Sequence, residues 1–143
     1  EDGIRDRSPS RGLGDVYKRQ LLGIRDENQV NLHYMKGVLF ENLVIGEFIK
    51  RAFHRGENRQ PYFWQDNHGK EIDCLLVNGD RVTPVEIKSG KTMSTSYFDN
   101  LRYWRPLMSL SEDQSYVVYG GDQSLQTSAG ALVSWRQLDR IPD

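Results

Sequence analysis

The sequence predicts an α/β domain: a helix, three antiparallel strands, a second helix and a further strand, arranged on a mixed central sheet. Three observations predict it. Residues 37–54 repeat apolar side chains at helical period. Residues 61–88 break into short β-type runs separated by turn signals. Residues 94–120 pass from a capped helical segment into an apolar run of strand length.

The 143 residues suffice for one modest core, and 37% apolar with 27% charged residues is an ordinary balance for a globular chain. The net charge of -1 excludes a global basic field, although a local basic patch remains compatible with it. A single cysteine, Cys74, excludes an internal disulfide framework and makes a cytoplasmic location the default expectation. With His33, His54 and His68 scattered, no structural zinc spacing is present. No apolar run reaches membrane-spanning length, so no membrane partner is expected.

Residues 1–20 carry few apolar residues, at neither helical nor strand period, and read as a disordered tail or as non-native sequence. They resemble translated cloning-adaptor sequence found at the ends of environmental gene fragments, and are set aside from fold reasoning. Residues 21–36 read as a connection from an upstream part.

The strongest helix spans 37–54. Val38, Ile45, Phe48, Ile49, Ala52 and Phe53 share an arc, with Glu47, Lys50, Arg51 and His54 opposite. Glu41 falls inside the apolar arc, where a carboxylate is costly unless paired or bound to a cation. A helix-start charge or a buried ion pair explains it as well as a metal does.

Pro61–Asp66 is a short aromatic strand, and Asn67-His68-Gly69 is turn chemistry. The run 71–77 follows, then the turn Asn78-Gly79-Asp80. Pro84 lacks a donor, so the next ladder is expected to begin at Val85. Ser94 is a plausible N-cap for a helix over 94–108, whose apolar side is Tyr97, Phe98, Leu101 and Trp104 and whose end Pro106 weakens. Residues 115–120 read as a strand added in parallel, 121–130 as a polar loop and 131–135 as a short final strand. No internal repeat appears.

The chemistry concentrates in 71–91. Strand alternation puts Glu86 and Lys88 on one face with Ile87 on the other, and Asp73 lies on the preceding strand. Two carboxylates can hold a divalent ion, and a lysine beside them can orient a water or offset developing charge. One Glu-x-Lys on a strand is usually a plain ion pair. Asp73 at hairpin spacing and Glu41 on the first helix weigh against that. Ser89-Gly90-Lys91-Thr92 is not a phosphate loop, because the first glycine of that motif would fall at Val85; no nucleotide site is expected here.

Glu41, Asp73, Glu86 and Lys88, in that order of elements, resemble the motif of the PD-(D/E)XK nuclease superfamily, with its restriction-endonuclease-like core. Ile72 stands where the superfamily's proline would be, a minor departure. A closer resemblance covers GVLFENLVIGEFIKR, YFWQDNHGKEIDCLLV, PVEIKSGK and the helix with Tyr97-Phe98-Asp99-Asn100-Leu101. These runs are similar to the C-terminal domain of unknown function in a family of prokaryotic AAA ATPases.

The resemblance implies a nuclease-like domain over 37–143, following a linker from an upstream ATPase. It implies metal-dependent cleavage of nucleic acid, with DNA the expected substrate. Asp73, Glu86 and Lys88 would be catalytic, and Glu41, Asp73, Glu86 and the Ile87 carbonyl would bind Mg or Mn. Lys91, Asn100 and Tyr103 are candidate nucleic-acid contacts, although a solvated polar face explains each of them as readily. The competing expectation is a non-cleaving binding or regulatory module of the same ATPase.

Overall fold

A computed structural model describes residues 3–6, as backbone, together with 35–111 and 114–142. The helix α1 runs Lys36–His54. It stops at Arg55 and at Gly56, whose φ of +74° favours glycine and whose N–H bonds the Phe53 carbonyl. Its buried stripe is Val44, Ile45, Phe48 and Ala52. The stripe therefore sits further round the helix than the sequence arc: Phe53 is 77% exposed and Val38 46% exposed. One residue past Ala52, a further 100° of rotation carries Phe53 out of the contact.

A hairpin series follows. The strands are β2 Tyr62–Gln65, β3 Glu71–Asn78 and β4 Arg81–Lys88. Gly69 and Gly79 take the positive φ values that the two turns demand, +80° and +59°. Contrary to the expectation at Pro84, β4 begins at Arg81, and Pro84 pairs Leu75 within the ladder. The neighbouring strand at Tyr116–Tyr119 meets β4 only from Val85 onward, so one side of β4 is still open at Pro84 and a missing donor is tolerated there.

The second helical segment is divided. A 3-10 turn over Thr95–Phe98, capped by the Ser94 side chain accepting from Ser96 N–H, leads into α2, Asp99–Trp104. Pro106 then lies in a second 3-10 turn, Arg105–Met108. Phe98, Leu101 and Trp104 are buried, as the spacing predicts.

The strand β5, Tyr116–Tyr119, pairs β4 in parallel as expected, and β7, Gly130–Ser134, pairs β5 in parallel. The expected loop at 121–130 contains a short edge strand, β6 Leu125–Thr127, antiparallel to β7. Its polar, exposed residues carry no apolar alternation, which is why the sequence hides it. Four residues set aside from the fold, Gly3–Asp6, form β1 on the outer edge of β2. An open edge is a row of unpaired main-chain groups and accepts short strands. Among the described residues the mixed sheet has seven strands, in the order β1-β2-β3-β4-β5-β7-β6.

The sheet separates two cores. On one face α1 packs on Cys74, Leu76, Val85, Ile87, Val118 and Val133. On the other, Phe98, Leu101 and Trp104 pack on Leu75, Val117, Tyr119 and Leu132. Arg51 ties the C-terminal turn to α1 by donating to the Leu138 and Ile141 carbonyls. No helix among the described residues is long and apolar enough to cross a membrane.

Candidate active site

Two local irregularities place Asp73. Tyr62 pairs Leu75 while Trp64 pairs Ile72, so β3 carries one extra residue at Asp73–Cys74, a β-bulge. On the other side, the β3–β4 ladder ends at Cys74↔Val85. Asp73 is thereby released from regular pairing toward β4, and its carboxylate replaces a main-chain acceptor there. Oδ2 accepts the Ile87 N–H at 2.7 Å.

Alternation along β4 does the rest. Val85 and Ile87 enter the core under α1, so Glu86 and Lys88 project from the opposite face. Lys88 Nζ lies 3.2 Å from Asp73 Oδ2 and 2.5 Å from Glu86 Oε2. The structure thus brings together Asp73, Glu86 and Lys88, as the motif spacing predicts. Glu86 is fully buried, Asp73 is 8% exposed, and Lys88 reaches solvent along part of its side chain.

The electrostatics are uneven. Burial, then the Asp73 charge, push the Glu86 carboxyl up to about 8, against the pull of Lys88. Burial lowers the Lys88 pKa, but the Asp73 and Glu86 carboxylates outweigh it and hold it above the ordinary lysine value. The two shifts compete, since a proton on Glu86 removes one of the charges that raise Lys88. Lys88 stays charged in either state, because Asp73 alone is within ion-pair distance. Glu86 Oε2 is in ion-pair contact with Lys88, whereas the buried Oε1 has no hydrogen-bond partner among the described residues. Such a group is a position where a cation would be stabilising.

Among the described residues, no three His, Cys, Asp or Glu side chains cluster as a metal cage. Glu41 is half-buried on α1, the helix that covers the opposite face from Glu86. Asp73 and Glu86 remain as hard oxygen donors, enough for the usual mode of Mg²⁺ binding, in which one or two carboxylates act together with substrate phosphates.

The candidate contact residues are dispersed over the same side. Lys91 is exposed just beyond β4, and Asn100 is half-buried on α2. Tyr103 is 44% exposed, but its hydroxyl donates to Asp66 Oδ2 at 3.1 Å, and the Lys70 ammonium lies 5.9 Å from its ring centre. Asp66 is the hub of that corner, since its Oδ1 also accepts the His68 and Lys70 N–H groups. Burial acts to raise the Asp66 pKa. The Lys70, His68 and Tyr103 donors outweigh it and hold the carboxyl below the usual range.

Sequence reasoning missed the clamp at the end of β4. Gly120 N–H donates to both the Lys88 and Gly90 carbonyls, at 3.1 and 2.9 Å. A Cβ at 120 would stand 2.7 Å from the Ser89 carbonyl oxygen, so only glycine allows this approach. The Gly120-Gly121 pair directly after an apolar strand was the available signal.

A family model described as "Domain of unknown function (DUF4143)" matches residues 36–138, which include every residue of this site. The chain belongs to the DUF4143 family. Searches of curated proteins and of solved structures give no match to the chain. The DUF4143 match begins where α1 begins and ends in the turn that Arg51 holds, so it covers the Asp73–Glu86–Lys88 cluster and both cores apart from Ile141.

Proposed function

We propose that this domain is a metal-dependent nuclease with a restriction-endonuclease-like core. The observation that carries the reading is Glu86: a fully buried carboxylate, paired through Oε2 with Lys88 and with Oε1 lacking a hydrogen-bond partner, beside Asp73 where β3 and β4 part. Asp73, Glu86 and the Ile87 carbonyl would hold Mg²⁺ or Mn²⁺. The bound ion would supply Lewis-acid stabilisation of charge at a phosphodiester.

The chain's own residues have separate roles. Asp73 fixes the end of β4 through the Ile87 N–H while presenting its carboxylate to the site. Lys88 keeps its charge in either state of Glu86, so it can orient a water and offset charge developing on a phosphate oxygen. Lys91, Asn100 and Tyr103 would contact nucleic acid, for which DNA is the proposed substrate. The order of helix, hairpin strands, helix and parallel strand supports the superfamily resemblance, as does the placement of all three strand residues of the motif on one cluster.

The test is cleavage of plasmid and of single-stranded DNA by the purified chain with Mg²⁺ or Mn²⁺. Cleavage that disappears in Asp73→Ala and in Lys88→Ala is the expected result. Cleavage that persists in both variants, or is absent from the wild type, overturns the reading.

The second reading is a non-cleaving regulatory module of an AAA-type ATPase, to which this domain would be C-terminal. The net charge of -1 favours it, as does the ammonium of Lys88 lying between the two carboxylates. It gains if no DNA is cut while the domain alters the ATPase rate of the joined protein.

A further inference from the structure

The Lys88 ammonium lies where the two carboxylates of the cluster come together. Its Nζ is 3.2 Å from Asp73 Oδ2 and 2.5 Å from Glu86 Oε2. Asp73 Oδ2 also accepts the Ile87 N–H at 2.7 Å, so both of its lone pairs are engaged. Glu86 is fully buried, and its Oε1 has no hydrogen-bond partner among the described residues. One ammonium therefore serves two carboxylates and leaves a buried oxygen unsatisfied.

We propose that Lys88 is a resident counter-cation, which holds the Asp73–Glu86 pair until a divalent ion displaces it, so that loading the site swings the Lys88 side chain out. The proposal rests on the reading of Asp73 and Glu86 as metal ligands, and adds that ion and ammonium exclude each other.

The exclusion follows from the oxygens. Oδ2 has no lone pair left for a metal while Lys88 remains, and two cations on one pair of carboxylates repel. Charge favours the exchange. A single ammonium offsets one of the two carboxylate charges, whereas a divalent ion offsets both.

The main chain confines the motion to the side chain. Before Lys88, the Ile87 N–H is held by Asp73. After it, the Gly120 N–H donates to the Lys88 and Gly90 carbonyls at 3.1 and 2.9 Å. The Lys88 side chain is 32% exposed, on a flexible four-carbon stem, so solvent can receive the released ammonium without a change of fold. The ammonium seated between the carboxylates, which otherwise counts against a metal site, is then its closed state. After loading, the same charge is free to meet phosphate oxygens.

Amine acetylation by N-hydroxysuccinimidyl acetate tests this in the full chain. Rates are read residue by residue by peptide mass spectrometry, with and without Mg²⁺, and calorimetry on the same samples reports whether Mg²⁺ binds. An ammonium paired with two carboxylates reacts slowly, so its release by Mg²⁺ is expected to speed Lys88 acetylation about fivefold or more. Lys91, an exposed neighbour, should change less than twofold. In Asp73→Asn, which keeps an acceptor for the Ile87 N–H, Mg²⁺ should leave Lys88 unchanged. Bound Mg²⁺ with Lys88 no faster overturns the proposal and leaves the metal reading standing. A rise that Lys91 shares, or that persists in Asp73→Asn, also overturns the proposal alone. Absence of Mg²⁺ binding overturns both.

Discussion

Asp73 does two things with one oxygen: Oδ2 accepts the Ile87 N–H and lies within ion-pair reach of Lys88. Removing the acceptor leaves a buried donor unsatisfied. Asp73→Ala is therefore expected to destabilise the domain by about 1–3 kcal/mol, and Asp73→Asn, which keeps an acceptor oxygen, by clearly less. Urea unfolding of the two variants separates them. At this scale the sequence was informative, because strand alternation alone places Glu86 and Lys88 together. It could not reveal how Asp73 meets them. That depends on the bulge at Asp73–Cys74, which arises from a register mismatch with Tyr62 and Trp64 that no local pattern encodes. Glu41 stands out in the sequence for lying in an apolar arc; the true stripe, Val44, Ile45, Phe48 and Ala52, is rotated from that arc, and Glu41 lies in line with it, one turn N-terminal of Val44 and Ile45.

Among the elements, α1 carries the most legible signal and also the link to the end of the chain. Arg51 looked like a solvent-facing residue. Its guanidinium instead donates to the Leu138 and Ile141 carbonyls and stacks beside Phe48. Arg51→Ala loses two charge-assisted bonds and is expected to cost about 2–3 kcal/mol. Exchange at Arg140 and Ile141 should rise at the same time, measured by urea unfolding and amide exchange on one sample. The hairpin strands were legible from their turn chemistry, with glycine at positive φ at 69 and 79. β6 was not, since an edge strand of three polar residues needs no hydrophobic face. Pro84 misled because its tolerance depends on where β5 starts, a fact about a strand some thirty residues away.

For the whole molecule, the burial of Glu86 links folding to pH. Its folded carboxyl titrates at about 8, against an ordinary 4.5. Between those values the folded chain holds a proton that the unfolded chain has released. This contribution to stability is complete below about pH 4.5 and is lost as pH rises toward 8. The urea midpoint should fall across that window, and Glu86→Gln should flatten the fall. A site that resists ionisation in this way is one where a divalent ion would gain by supplying the missing charge. The antiparallel hairpins and the parallel pair β4–β5 were predictable from element order, whereas the pairing of β2 with Gly3–Asp6 was not, because an edge takes whatever strand the chain brings to it.

The central claim is that Asp73 and Glu86 form a divalent-cation site. Calorimetric titration of Mn²⁺ into the wild type, Asp73→Asn and Glu86→Gln at pH 8 tests it most directly. The account predicts saturable binding in the wild type that is lost in both variants. No binding to the wild type, or equal binding to all three proteins, would contradict it.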